Sequence, residues 1–338
     1  MTIKFQPVRR FVLGTAICAL SVSLASGSAA WATGSDAAAS YPQRPVTIVD
    51  GFAPGGSTDV LARVVGQHLS KALGQPVVVE NRAGAGGIVA TSHVSRAAAD
   101  GYTLLLGTIG PIVVNPNIMK DLNYKPLQDL EPILSLVDVA NVMVVKGDHP
   151  AKGVQDIVQL AKTNPDQVDF GSAGIGTTAH LAGEVFQQGA GIKLTHVPYR
   201  GGAPAMTGLL GGETDLIFSS VPTAVEHVKN GRLRALAVTG SKPLDTLPGV
   251  PPLKDAGIAG YELPSWYGVF APAGTPQPIV AKIGNELAKI LELPEVKSQL
   301  IALGMVPNPV HAADFKRQLG EDTKYWKGVL EKANIRFN

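Results

Sequence analysis

Two stretches of this chain place small residues and hydroxyls where backbone amides could hold an anion. The first is Ala53-Pro54-Gly55-Gly56-Ser57-Thr58-Asp59. The second is Gly171-Ser172-Ala173-Gly174-Ile175-Gly176-Thr177-Thr178-Ala179-His180. Each lies between a β-rich run and a helical period. A helix start carries unpaired amide donors and about half a positive charge. Glycine lets an oxygen-rich group reach those amides without interference from a Cβ. A nucleotide phosphate, a reacting oxyanion and a solute carboxylate all suit such loops. A plainer role exists for Ser57, Thr58 and Asp59, which can cap their own helix. The second loop has more glycines and hydroxyls than a turn needs.

The rival chemistries fit less well. Gly174-Ile175-Gly176-Thr177-Thr178-Ala179 matches the dinucleotide pattern G-x-G-x-x-A, but the next strand, "KLTHVPYR", ends without the acid that would hold a ribose. Neither loop carries the Gly-Lys-Ser/Thr ending of a phosphate-binding P-loop. A serine nucleophile elbow reads G-x-S-x-G. Around Ser172 the residue two before is Phe170 and the residue two after is Gly174, so half the elbow is missing. His180, His196 and His227 would be the bases of such a hydrolase and Asp215 the orienter, yet no spacing ties them together. His180 and Glu184 sit four apart on one helix face, but no third metal ligand is evident. Neither a metal nor a cofactor is expected.

The elements that must position these loops follow from the pattern. Val46–Val49 reads as a strand and Asp59–Leu73 as a helix ended by Gly74, with Val60, Leu61, Val64, Val65, His68 and Leu69 on one stripe. "VVVEN", a glycine bend with a second helix, and "YTLLLGT" continue the alternation. This strand–helix order is that of an α/β fold with a largely parallel sheet. It starts afresh near residue 138 with "NVMVV", a helix over Val154–Lys162, then "QVDF", "IKLTHVPY", "TDLIFSS" and "LRALAVTG" as strands. "YELPSWYGVFAPAG" reads as a strand, and helices are expected to dominate from Pro276 to Lys332. The plan is a second α/β unit inserted in the first, with small ligands expected in the cleft between the two lobes. The expected division is a leader over 1–32, a discontinuous first lobe over 33–138 and 264–338, and a second lobe over 139–263.

That leader has Lys4, Arg9 and Arg10 before an apolar stretch, Phe11–Ala25, that is short for a membrane span. Ala30-Trp31-Ala32 matches an A-x-A cleavage site. Arg9-Arg10-Phe11 faintly resembles a twin-arginine signal, though ordinary secretion to the periplasm is the expectation. Lipidation at Cys18 would need a small-residue run before it, and Thr15-Ala16-Ile17-Cys18 fits poorly. Cleavage removes three of 29 basic residues and no acidic one, leaving 26 against 27 Asp and Glu. That near-neutral balance offers no basic arm for nucleic acid or anionic lipid. Cleavage also removes the one cysteine, which excludes disulfides and thiol chemistry from the mature chain.

Several ordered motifs together resemble a known family. "YPQRPVTIVDGFAPGGSTDVLAR", "VVVENRAGAGGIVA", "ADGYTLLLGT", "DFGSAGIGTTAHLAGE", "HVPYRGGAPAMTGLLGGETDLIF" and "GRLRALAVTG" are similar to the solute receptors of tripartite tricarboxylate transporters, the Bug proteins. The resemblance runs from Tyr41 to the C-terminal helices. It implies a type II periplasmic binding protein, two α/β lobes closing on an organic anion that is passed to a two-component membrane permease, with no catalysis. A sensor's extracytoplasmic partner would use the same fold and cleft.

By position, the resemblance puts Ser172, Ala173, Gly174, Thr177 and Thr178 on a ligand carboxylate. Phe52, Ala53, Gly55, Gly56, Ser57 and Thr58 would form the opposing wall, with Gly86 and Thr108 lining the first lobe. Tyr199, Arg200 and Gly201 follow a strand near the cleft. Arg200 would either pair a second carboxylate bidentately or stay a solvated surface residue. Asp215 is counted with the site, orienting loop amides. Trp266 and Tyr267 are either hinge packing or ligand wall. The expected ligand is a small di-, tricarboxylic or aromatic acid, and the expected receptor is a monomer.

Overall fold

A computed structural model of the protein describes residues 40–258 and 262–335. The expected leader, with Cys18, lies outside the described residues. From Val46 the chain runs β1 (Val46–Asp50), α1 (Ser57–Leu73), β2 (Val77–Asn81), α2 (Ile88–Val94), β3 (Thr103–Thr108) and β4 (Leu130–Val139). After the single residue Ala140 it enters β5 (Asn141–Lys146), α3 (Val154–Thr163), β6 (Asp169–Ser172), α4 (Thr178–Ala190) and β7 (Thr195–Pro198). There follow α5 (Gly202–Gly211), β8 (Leu216–Ser220), α6 (Val221–Lys229) and β9 (Leu233–Val238). The last part is β10 (Trp266–Pro272), α7 (Gln277–Glu292), α8 (Pro294–Ala302), β11 (Met305–His311) and α9 (Ala312–Lys332).

Two sheets result. One has six strands in the order β11-β4-β10-β3-β1-β2, and the other five in the order β7-β6-β8-β5-β9. β1 is parallel to β2 and β3, and β6 is parallel to β7 and β8. β10 is antiparallel to β3 and β4, β11 to β4, and β5 to β8 and β9. Both sheets are therefore mixed, where the sequence led to an expectation of largely parallel pairing. The antiparallel strands are those that carry the chain between sheets or return after the insertion.

α1 shows how local sequence sets the frame. Gly56 stands extended ahead of it and Gly74 ends it in the left-handed region at φ 68°. Leu61, Ala62, Val65 and Leu69 are buried on one stripe. Full burial of each large member is worth ~1.5–3 kcal/mol. Gly66 turns the helix face toward Val77 and Val79 of β2. On another part of this sheet, Phe315 of α9 packs edge-on to Trp266 and against Phe270 of β10.

Two strands differ from the sequence reading. β4 was not expected. It is buried along nearly its whole length and contains Pro132, so its ten residues show neither alternation nor a clean apolar run. β11 falls within the stretch expected to be helical. Its Pro307 and Pro309 cannot continue a helix, and an edge strand is the place in a sheet that tolerates them.

Candidate functional site

The helix that follows each glycine loop begins beside one shared cavity. The first loop is held from behind by Asp59, whose Oδ2 accepts from the Gly55 amide (3.0 Å) and from Arg63 Nε (3.0 Å). Its Oδ1 accepts from Arg63 Nη2 (2.8 Å) and Asn81 Nδ2 (3.0 Å). Burial works against the charge of Asp59, but these donors win and hold its carboxyl below the usual range. Gly55 takes φ +85°, which glycine adopts without strain.

The second loop is braced by hydroxyls and imidazoles, and His180 Nε2 also lies 3.4 Å from Glu184 Oε1. Ser172 Oγ lies 2.7 Å from His196 Nε2 and accepts from the Gly174 amide at 3.1 Å. Thr177 Oγ1 donates to the Gly174 carbonyl (2.7 Å) and accepts from the His180 amide (3.3 Å). His180 Nδ1 accepts from the Gly176 amide (3.2 Å). The rings of His180 and His196 stack at 4.0 Å, and His196 stacks on Phe170 at 4.7 Å. Burial and the neighbouring His180 push His196 down to about 3, so it is neutral at physiological pH.

A cavity of about 50 Å³ lies between these loops. Phe52, Gly56, Ser57, Thr58 and Thr108 line it from the first sheet's side, and Ala173, Thr177, Thr178 and Ala179 from the second's. Gly202 at the start of α5, Ser219 and Ser220 at the end of β8, and Tyr267 complete much of the wall. Among the described residues that line it, none carries a formal charge. The starts of α1, α4 and α5 meet here, and α6 adds its N-cap Ser220 to the wall but little else, since the Val221 amide is bonded to the Ala140 carbonyl and Pro222 has no amide hydrogen. The first-turn amides of α1, α4 and α5 have no acceptor inside the helix, and of these the His180 amide is the one capped by a side chain. What remains is a set of amide donors and dipole ends facing a small uncharged space, an arrangement that favours an anion.

The two sheets touch around this space. The Ala53 amide donates to the Arg200 carbonyl (3.1 Å), and Ser220 Oγ donates to Ser57 Oγ (2.9 Å), which lies 2.8 Å from the Tyr267 hydroxyl. Gly86 packs so closely on the Ile175 carbonyl that a Cβ there would overlap it, and a Cβ on Gly110 would stand 2.8 Å from the Gly176 carbonyl. The cleft is closed. A wider groove of about 580 Å³ at the crossovers is lined by Asp138, Glu262, Glu321 and Asp322, the wrong sign for an anion.

Residues 61–335 match the model of the tripartite tricarboxylate transporter family receptor. The chain belongs to this family. Protein BugT of Bordetella pertussis (strain Tohama I) is 35% identical over 298 residues, covering 88% of this chain and 91% of BugT. The structure of R. palustris Rpa4515 with adipate aligns with a TM-score of 0.84 at 34% identity, covering 88% of this chain and 99% of that one. MatC (Rpa3494) from Rhodopseudomonas palustris, with bound malate, aligns with a TM-score of 0.82 at 30% identity, covering 86% and 100%. The family and its solved members are periplasmic binding proteins, not enzymes.

Against the residues expected from sequence, the receptor divides into three groups. Phe52, Gly56, Ser57, Thr58, Thr108, Ala173, Thr177 and Thr178 line the cavity. Ala53, Gly55, Gly86, Gly174 and Gly201 form the seam around it: Gly55 abuts Ala203, Gly174 abuts Gly86, and Gly201, at φ +142°, abuts the Ala53 amide. Ser172, Tyr199, Arg200 and Asp215 do not line the cavity. Ser172 is fully buried and spent on His196 and Gly174. Tyr199 lies against Gly208 of α5 and donates to Glu213 (2.9 Å). Arg200 contributes its carbonyl to the seam while the residue is exposed. Asp215 accepts the Asp169 amide (2.8 Å) at the start of β8, whereas the cavity lies at that strand's end.

Sequence reasoning missed Gly110, Asn141, Ala179, Gly202, Ala205, Phe218, Ser219 and Ser220. The serine pair carried a readable signal, since it ends a strand and precedes a helix, as both glycine loops do. Tyr267 lines the cavity, and Trp266 donates to Asp322 (2.8 Å) within the α9 packing. Asn141 directly follows the one-residue crossover. Its Nδ2 is buried, has no hydrogen-bond partner and belongs to the cavity wall.

Proposed function

We propose that this receptor captures a small organic carboxylate in the periplasm and delivers it, as a monomer, to a two-component membrane permease. The observation that carries the reading is a cavity lined by the starts of α1, α4 and α5 and free of charged side chains. The carboxylate docks on the first-turn amides of α4 at Thr178 and Ala179, whose loop is already braced. The first-lobe loop, Gly56 to Thr58, then closes over it. Exclusion of bulk water strengthens each amide–carboxylate contact. The lobes, 33–138 with 264–338 and 139–263, move as units about the crossovers at Ala140 and before Trp266. The ligand favours the closed state by its contacts with both lobes. Adipate and malate in the related structures support a carboxylate with a second polar end, and the unpartnered Asn141 Nδ2 is a donor suited to that end.

The test is a thermal-shift screen of the receptor against di-, tri- and aromatic carboxylates. A true ligand raises the melting temperature in step with the logarithm of its concentration over its Kd. Stabilisation by at least one acid, and by none of the matching amides or alcohols, is the expected result. Equal stabilisation by acids and neutral analogues would overturn it.

A further inference from the structure

A carboxyl group sits behind the cavity wall with no role in the reading above. Asp50 ends β1 with no exposed surface. Its Oδ2 accepts from Thr58 Oγ1 (3.0 Å) and Asn81 Nδ2 (3.2 Å), while Oδ1 is buried without a partner. Thr58 is the link, since it bonds Asp50 and lines the cavity. Three other titratable groups act on Asp50. Asp59 of α1 shares the Asn81 amide with it, Arg63 lies one turn further along α1, and Tyr267 faces it from β10. Burial pushes the Asp50 carboxyl up to about 7. The Thr58 hydroxyl pulls it down, the Asp59 charge pushes it up, and the nearby Phe52 and Gly51 amides pull it down by less.

We infer that this receptor takes up its acid together with one proton, held on Asp50 and passed on to the cavity as a change in the direction of the Thr58 hydroxyl. The inference rests on the carboxylate reading above. A hydroxyl has one hydrogen to give. While Asp50 is ionised, Thr58 gives that hydrogen to Asp50 and shows the cavity only lone pairs, which repel a carboxylate. A proton taken from solvent onto Asp50 Oδ2 reverses the bond. The carboxylic O–H then donates to Thr58 Oγ1, and Thr58 turns its own hydrogen to the ligand. The same proton removes a buried negative charge beside the arriving anion. No covalent bond changes other than the O–H formed on Asp50. Asp50 is thus a positioning residue that acts through Thr58.

The experiment is calorimetric titration of the receptor with malate and adipate between pH 5.5 and 8.5, each in two buffers of different ionisation enthalpy. Both probes are ionised for nearly all of this range. The expected result is uptake of close to one proton at pH 8, with Kd rising up to about tenfold per pH unit above pH 7 and levelling below it. Asp50→Asn should abolish both the uptake and the slope, because its amide neither gains nor loses a proton in this range. The wild-type uptake stands on its own if that variant folds poorly. Binding with no uptake at pH 8, or uptake that survives Asp50→Asn, would overturn this inference alone. If neither these probes nor any acid of the panel binds, the functional reading falls and takes this one with it.

Discussion

The two glycine loops are built alike and supported differently. Both run from the end of a strand into a helix start and use glycines at positive φ. Behind the second loop lie hydroxyls and two stacked imidazoles, His196 held neutral and His180 backed by Glu184 at 3.4 Å. Behind the first lie two carboxyl groups, Asp50 and Asp59, joined by Asn81, with one of them tied to Arg63. The second loop is tied together through hydroxyls and a neutral His196, which fix its amides in place near neutral pH. The first loop answers to proton concentration through Asp50 alone, since Asp59 is held below the usual carboxylate range. The second lobe is therefore the fixed half of the grip and the first lobe the conditional half.

Four changes would sharpen or break that contrast. The largest effect is expected from Gly86→Val. A side chain there meets the Ile175 carbonyl across the seam, and Gly86 sits at φ 60°. Closure fails, so calorimetry should show affinity reduced by more than about a hundredfold. That corresponds to over ~2.7 kcal/mol, while far-UV circular dichroism stays unchanged. Thr178→Pro comes next. Proline is tolerated at the first helical position, and Thr177 already has the extended backbone that a following proline requires. The variant loses the amide hydrogen together with the Thr178 side chain, so Thr178→Ala, which keeps the amide, is its reference; a hydrogen bond to a charged group is worth ~1.5–3 kcal/mol, so Kd should rise ~10–100-fold over that reference.

The third change tests the conditional half without ligand. A buried carboxyl held near 7 keeps a proton in the folded state that the unfolded chain releases above about pH 4. The folded state thus binds more protons across that window, and stability falls as pH rises from about 4 to about 7. Asp50→Asn removes this dependence. Its melting temperature should gain on wild type between pH 5 and pH 8, by no more than the equivalent of ~3 kcal/mol. The smallest effect is expected at Arg200→Ala. Arg200 joins the seam through its carbonyl, which the substitution keeps, so affinity should stay within about twofold.

The lobes' α/β alternation was legible because strand and helix periods are local properties. So were the two loops, since glycines and hydroxyls between a strand and a helix leave amide donors approachable, whether a helix cap or an anion takes them. β4 was hidden because a strand buried on both faces shows no alternation, and β11 because its prolines suit an edge that only the sheet order reveals. In the site, residue type pointed to Ser172 as a ligand group, yet its hydroxyl is consumed by His196, 24 positions away. Tyr267 reaches the cavity from a strand more than two hundred residues after Ser57, to which it bonds. Such meetings are set by topology, and single-residue chemistry cannot announce them.

The central claim is that backbone amides of α4, with no cationic side chain, hold the ligand's carboxylate. A crystal structure of the receptor with the acid that stabilises it most tests this directly. The account predicts carboxylate oxygens about 2.9 Å from the Thr178 and Ala179 nitrogens, beneath the Gly56–Thr58 turn. A carboxylate paired instead with Arg200, or lodged outside this cavity, would contradict it.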